Sequence, residues 1–150
     1  MGVEENRKIL QRYLDELLNN GDFSKASEIL HEDYSGSAGG GLKGVEGLKQ
    51  FRNYMRSRSS DMRFNVEEMI AEGNKIAIFG EWSGTADGEY LGIPATHKPF
   101  SYVLAAVYEF QDGKVIRGLT RSVSNQLDVF QQLGILPSIE EIANNYKESH

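Results

Sequence analysis

The sequence predicts an α+β fold in which a curved antiparallel β-sheet wraps around N-terminal helices and encloses a single pocket. Two observations lead to this prediction. Apolar residues recur at helical spacing through the first part of the chain, and long strand-like segments separated by turn signals fill the second part. Helices that precede a run of strands are typical of α+β proteins, whose helices pack on one face of the sheet.

Size and composition limit the number of domains, the kinds of partner and the location that we expect for this protein. The chain has 150 residues, so we expect residues 1–150 to form one domain. The formal net charge is −6 and the basic residues are scattered, which disfavours nucleic acid as a partner. No apolar run approaches the roughly 18 residues of a membrane span, so we expect no membrane partner. The chain has no cysteine, which excludes disulfides and fits a cytoplasmic location.

Three helices are predicted in the first part of the chain. The first covers residues 3–20 and ends at Asn20-Gly21, where the glycine can adopt the left-handed conformation of a C-cap. Asp22 is expected to cap a second, short helix over residues 23–30. A short strand at residues 34–37 and the run Gly39-Gly40-Gly41 precede a third helix over residues 45–57. The apolar stripe of this third helix consists of Val45, Leu48, Phe51, Tyr54 and Met55.

Strands dominate the second part. Residues 62–66 alternate, Gly73-Asn74 turns the chain, and long strands are predicted over residues 75–86 and 100–110. Asp112-Gly113 predicts a tight hairpin, after which residues 115–122 pair back. A short helical segment over residues 125–133 follows. Ser138 and Glu141 then form a capping box, which predicts a C-terminal helix over residues 138–150.

Four segments together resemble a known family. Residues 11–14 with 20–22 resemble the first helix of nuclear transport factor 2-like cone folds, and residues 44–51 resemble the third helix of its SnoaL-like branch, the polyketide and ester cyclases. Residues 88–96 look like the loop between the two long strands of that branch, and residues 131–134 resemble its closing motif. The resemblance covers roughly residues 6–137 and implies a cystatin-like cone.

The resemblance implies an apolar pocket for a small organic ligand inside the cone. Side chains at alternate positions of the two long strands point inward, and the helices supply further walls. The expected ligand-binding residues are Ser37, Phe51, Met55, Trp82, Tyr102, Leu104 and Tyr108.

Three residues are candidates for chemistry in this pocket. Tyr13 stands where steroid isomerase relatives carry a tyrosine that donates to an oxyanion, although it also fits the apolar stripe of its helix. Asn125 stands where the cyclases carry an acid/base aspartate; an amide can hold a carbonyl but cannot take a proton, and Asn125 is also a good N-cap. Arg121 would bind a carboxylate or enolate if it pointed inward, and would be solvated if it pointed outward. Arg117 lies on the same side of the strand and competes for that role.

The expected acids and bases are otherwise missing. Ser37, Ala86 and Ala106 stand where relatives place ionisable groups. The three histidines share no metal-ligand spacing, so we expect no metal site, and the family implies no cofactor.

The resemblance therefore implies a cofactor-independent cyclase or isomerase acting on a polyketide-like or other apolar carbonyl metabolite. The alternative is a non-catalytic binding module or a dimerisation scaffold that has lost the acid/base residues. Residues 75–82 are largely apolar on both faces, which favours a homodimer formed through the outer face of the sheet.

Overall fold

A computed structural model describes residues 2–38 and 41–150, so Gly39 and Gly40 of the glycine run lie outside the described residues. The first helix starts as α1 (Val3–Arg12) and continues as a π-helical segment (Tyr13–Asn19). The other helices are α2 (Ala26–Ile29), α3 (Gly44–Arg58), α4 (Gln126–Gln132) and α5 (Ile139–Ser149). The strands are β1 (Leu30–Gly36), β2 (Leu42–Lys43), β3 (Arg63–Glu72), β4 (Lys75–Thr85), β5 (Pro99–Gln111) and β6 (Lys114–Ser122).

The six strands form one sheet in the order β2-β1-β6-β5-β4-β3. All neighbours are antiparallel except β1 and β6, which are parallel. The β5–β6 hairpin turns at Asp112-Gly113, whose φ angles of 53° and 71° are those of the predicted tight turn. Register shifts in β3 and at Glu109–Phe110 bend the sheet, as bulges generally do. The α+β class and the curved sheet are thus confirmed.

The core lies between the concave face of the sheet and the first helix. Leu10, Leu14 and Leu17 of that helix are fully buried, and Ile76 and Ile78 of β4 are buried opposite them. Alternate residues of β4 and β5 point inward as the sequence predicted, because the two strands pair in one uninterrupted register.

The second helix is shorter than predicted, and the first helix changes to the wider π-helical winding. The Asp22 carboxylate accepts hydrogen bonds from the Ser24 backbone N–H (3.0 Å) and hydroxyl (2.6 Å), so it closes a local turn instead of capping a helix. Helix α2 therefore begins only at Ala26, and the chain is already extended at Leu30. The π-helical winding from Tyr13 onward has no counterpart in the sequence prediction.

The end of the first helix joins three elements. The carboxamide of the buried Asn19 pairs with the backbone of Phe64 in the edge strand β3, donating to its C=O (3.0 Å) and accepting from its N–H (2.8 Å). Arg52 of α3 donates to the Leu18 and Asn19 carbonyls (3.0 and 3.1 Å), and Arg56 donates to the Asn19 carbonyl (2.6 Å). These bonds fix the angle between the first helix, α3 and the sheet edge.

Replacing Asn19 by alanine would leave two buried backbone groups of Phe64 without partners. We expect Asn19→Ala to lower the free energy of unfolding by about 2–4 kcal/mol, since each orphaned buried polar group costs about 1–3 kcal/mol. Urea denaturation monitored by circular dichroism measures the change. Asn53→Ala, at an exposed position of α3, is the matched control and should change stability by about 0.5 kcal/mol or less. Equal effects of the two variants would contradict this role for Asn19.

Candidate functional site

In the part of the chain that the structure describes, the concave side of the sheet encloses an inner and an outer cavity, where the sequence predicted a single pocket. The inner cavity has a volume of about 30 Å³, and the outer cavity, at the wide end of the cone, has a volume of about 350 Å³. The Phe51 side chain from α3 borders both. Of these two spaces, only the outer cavity is large enough for an organic ligand, because the inner one fits little more than a water molecule or two.

Aromatic side chains fill the inner cavity. The Tyr13 and Tyr34 hydroxyls are hydrogen-bonded at 2.8 Å, and the Tyr108 ring meets Tyr13 edge-on with centroids 5.2 Å apart. The Trp82 ring packs against the Phe64 ring, with centroids 5.1 Å apart, and closes the other side of the inner cavity. Because of this packing, the deep end of the expected pocket is part of the hydrophobic core. The Tyr13 and Tyr34 hydroxyls lie at its centre.

Burial keeps these phenols protonated. The pKa of Tyr13 is raised well above 10.0, first by burial and then by repulsion from the neighbouring Tyr34 and Tyr108. Burial likewise raises the pKa of Tyr34 and of Tyr108. At neutral pH the three groups are hydroxyls that can donate a hydrogen bond, and none of them can act as a base.

The outer cavity has aromatic walls and a polar rim. Helix α3 contributes Phe51, Tyr54 and Arg58, and β5 contributes Phe100 and Tyr102. The remaining walls come from the β4–β5 loop and from the stretch that runs from the end of β6 to the end of α4: Ala86, Gly88, Tyr90, Ser122, Ser124, Asn125, Gln126, Val129 and Leu133. Burial raises the pKa of Tyr102 to about 12, while the positive charge of Arg58 opposes that rise.

Arg58 carries the charge of this site. Among the described residues that line the two cavities, it is the only charged one, and none is an aspartate, glutamate or histidine. Its guanidinium carbon lies 4.3 Å from the Tyr90 ring centroid and 5.1 Å from the Tyr54 ring centroid. Its Nε is buried and unpartnered in the described part of the chain. Such an orphaned donor costs about 1–3 kcal/mol.

The β4–β5 loop is locked onto the end of α3 beside Arg58. The Gly88 N–H donates to the Arg58 carbonyl at 3.0 Å, and a Cβ at Gly88 would overlap the Ser57 carbonyl oxygen. Only glycine permits this close approach, which holds Tyr90 against the Arg58 guanidinium.

The predicted ligand-binding residues divide between the two cavities and the core. Trp82, Leu104 and Tyr108 border the inner cavity, Tyr102 borders the outer one, and Phe51 borders both. Met55 is buried behind Arg58, whose Nη2 lies 3.4 Å from its Sδ, and it lines neither cavity. The Ser37 hydroxyl accepts from the Thr120 N–H at 2.8 Å, which ties the segment after β1 to β6 outside both linings.

The three candidates for chemistry are not brought together. Tyr13 lies at the inner cavity and Asn125 at the outer one, where its Oδ1 accepts from the Asp128 N–H at 3.0 Å and caps α4. Arg121 lies on the outer face of the sheet, because its strand partner is the outward-facing Ala105. It is exposed and donates to the neighbouring Thr120 carbonyl at 2.9 Å, so of the two orientations that the sequence left open, the structure has the outward one.

The competing cation also faces outward. Arg117 pairs with Glu109 on the outer face of the sheet, with a 2.7 Å separation between Nη2 and Oε2. The inward positions of β6 are instead Gly118, Thr120 and Ser122, which pair with the inward residues of β5.

Arg58 was not among the predicted site residues, although the sequence holds a signal for it. Phe51, Tyr54, Met55 and Arg58 follow at i, i+3, i+4 and i+7, so the arginine continues the apolar stripe of α3. An arginine at the end of such a stripe faces the same cavity as the aromatic residues before it.

The described residues contain no group of three or more side chains placed to hold a metal ion. No helix among them is long and apolar enough to cross a membrane.

Comparisons with known proteins place the chain in a family. It aligns over 91% of its length with TsrD from Streptomyces laurentii (24% identity, 99% of that chain, TM-score 0.76). It aligns over 89% of its length with a SnoaL-like polyketide cyclase from Agrobacterium tumefaciens (19% identity, 100% of that chain, TM-score 0.72). These likenesses show the fold. No curated protein matches the sequence. The family model for SnoaL-like polyketide cyclases matches residues 8–133, and the chain therefore belongs to the SnoaL-like polyketide cyclase family.

Proposed function

We propose that the chain is a cofactor-independent cyclase or isomerase that acts on a polyketide-like or other apolar carbonyl metabolite bound in the outer cavity. The observation that supports this proposal is the outer cavity itself, which combines about 350 Å³ of space, aromatic walls and a few hydrogen-bonding groups. Cavities of about 300–1,000 Å³ with mostly apolar walls are the usual form of small-ligand sites.

The proposed contribution to the reaction is orientation and polarisation. The described lining residues offer no carboxylate or imidazole, so a water molecule or the substrate itself would have to move the proton. Holding a flexible substrate in a ring-closing conformation lowers the entropic part of the barrier. A carbonyl oxygen that reaches past Phe51 would meet the Tyr13–Tyr34 hydroxyl pair, which can stabilise a developing oxyanion.

Asn125 has a supporting role in this proposal. Its Oδ1 is engaged in capping α4, so its remaining hydrogen-bonding capacity is the Nδ2 amide, which can donate to a substrate oxygen at the cavity rim.

A non-catalytic binding module is the second candidate, and the lack of an acid or base in the described lining favours it. Such a module would bind an apolar carbonyl compound stoichiometrically and release it unchanged. Chromatography of the recovered ligand after prolonged incubation distinguishes the two functions.

Tyr13→Phe tests the polarising role. We expect the variant to keep its fold and to lower kcat about a hundredfold on a linear polyketide-like ketone, since loss of one oxyanion donor typically costs about 10²–10³ in rate. Turnover is measured as the cyclised product by chromatography. Tyr146→Phe removes a hydroxyl from the exposed helix α5 and is the control, which should leave kcat unchanged. An unaltered kcat in Tyr13→Phe would contradict the assignment.

The donor role requires the buried phenols to stay protonated, which has a consequence at high pH. The pKa of Tyr13, Tyr34, Tyr102 and Tyr108 is raised in the folded chain, whereas the unfolded chain ionises near 10.0. Stability from these groups is therefore complete below about pH 10 and declines as pH rises further, because only the unfolded state readily loses the protons.

Urea denaturation at about pH 8 and about pH 11 tests this expectation. The midpoint should fall at the higher pH, and tyrosinate absorbance should appear together with unfolding. Full tyrosinate absorbance from a chain that is still folded at the higher pH would contradict the burial of these hydroxyls.

A homodimer formed through the outer face of the sheet is a further proposal. Ile70, Phe79, Val107 and Leu119 lie exposed on neighbouring strands of that face, with Ile70 at 61% and Phe79 at 49% exposure. A contiguous apolar patch of this kind favours association with a second copy. The cytoplasmic location expected from the absence of cysteine stays a prediction.

Light scattering at micromolar concentration tests the dimer. We expect the mass of two chains for the unmodified protein and of one chain for Phe79→Lys, because a charge placed in the patch opposes its burial. Asn53→Lys, at an exposed position of α3, makes the same change in charge away from the patch and should leave the dimer intact. A monomeric unmodified protein would rule out the interface.

A further inference from the structure

We propose that Arg58 binds the ionised carboxylate of the ligand, so that the outer cavity selects an apolar, aromatic or polyketide-like monocarboxylate. This inference rests on the proposed function only in that the outer cavity must be the ligand site. It adds that the ligand is negatively charged and that Arg58 binds this charge.

The Arg58 side chain is fixed but lacks an anionic partner. Within residues 2–38 and 41–150, its guanidinium donates from Nη2 to the weak acceptor Sδ of Met55 at 3.4 Å, lies beside the neutral Tyr102 hydroxyl, and makes no ion pair. Its Nε is buried and has no partner. The Tyr54 and Tyr90 rings hold the group in place and offer no carboxylate. An arginine that is held in position and lacks an anion in its own chain is suited to one brought by a ligand.

The electrostatic setting favours an anion here. The chain has a formal net charge of −6, yet the described lining of the outer cavity has one positive and no negative side chain. A neutral ligand that filled this cavity would exclude water from the guanidinium and leave its N–H groups unsatisfied. A carboxylate would satisfy them with charge-assisted hydrogen bonds.

The single cation also limits the charge of the ligand. A doubly charged phosphate would need further cationic or backbone donors, and the remaining described walls are aromatic, aliphatic or neutral polar. A planar carboxylate matches the planar guanidinium, and one negative charge balances one positive charge. The Tyr102 hydroxyl, which burial keeps protonated, lines the same cavity and can act as an additional donor.

A purely structural role for Arg58 makes a different prediction. Arg58 also touches Tyr90 of the β4–β5 loop, so its loss could loosen that wall of the cavity. A loosened wall would weaken every ligand alike, whereas the loss of an anion site would weaken only the carboxylate. The discriminating measurement is therefore a comparison of two ligands of similar shape.

Isothermal titration calorimetry with 2-naphthoate and with 2-acetylnaphthalene, its neutral methyl ketone counterpart, provides that comparison. We expect the unmodified chain to bind the carboxylate about tenfold or more tightly than the ketone, as a charge-assisted hydrogen bond allows. Arg58→Gln should remove this preference and leave ketone affinity unchanged. Arg58→Lys, which keeps the charge without the planar fork, should retain part of it.

Arg121→Gln is the matched control, since it removes the same charge from an exposed position on the outer face of the sheet. It should leave the carboxylate preference intact. Equal weakening of both ligands in Arg58→Gln, or an unmodified chain with no preference, would overturn the carboxylate site while leaving the cavity as a ligand site. Failure of both compounds to bind the unmodified chain would overturn the proposed function, and this inference with it.

Discussion

The junction at the end of the first helix determines the shape of the cone. Asn19 pairs with the Phe64 backbone, and Arg52 and Arg56 bind the last carbonyls of the same helix. One buried amide and two guanidinium groups thus set the distance between the helix, α3 and the edge of the sheet. Because α3 borders both cavities and Phe64 of that edge borders the inner one, these bonds position walls of the interior.

The interior divides because the helix and strands fill its deep end with large rings. Tyr13, Tyr34, Tyr108 and Trp82 leave about 30 Å³ there, and the usable space moves to the outer cavity beside α3 and α4. The arrangement stabilises the fold through aromatic packing and leaves the hydrogen-bonded Tyr13 and Tyr34 hydroxyls at the inner cavity, beyond Phe51 from the outer one. The proposed chemistry would use the same tyrosines that stabilise the core.

The outer cavity offers some of the groups that an enzyme site usually has and lacks others. Its walls are largely aromatic and apolar, Arg58 offers a positive charge, and its described residues include no group that takes a proton at neutral pH. This composition suits a reaction whose difficulty lies in conformation more than in proton transfer. It also fits the second candidate function, a binding module without turnover. Binding requires the walls and the positive charge, and it does not require a group that takes a proton.

Local patterns in the sequence determined much of the fold. The helical stripe of α3, the Asp112-Gly113 turn, the alternation along β4 and β5, and the capping box at Ser138 are short-range features, and each appears in the structure as predicted. Tyr13, Trp82, Leu104 and Tyr108 were placed facing the interior for the same reason, because strand alternation and helix periodicity fix which face a side chain occupies.

What only the tertiary structure decided depends on register and on distance between segments. A one-residue difference in strand pairing sends Arg121 to the outer face, while Arg58, at the end of a helix, reaches the cavity because Gly88 brings a distant loop against it. The volume left between packed rings likewise depends on all the walls at once. The sequence by itself determined the family-like cone and its aromatic interior; the packing of segments far apart in the chain decided where the cavity lies and which arginine lines it.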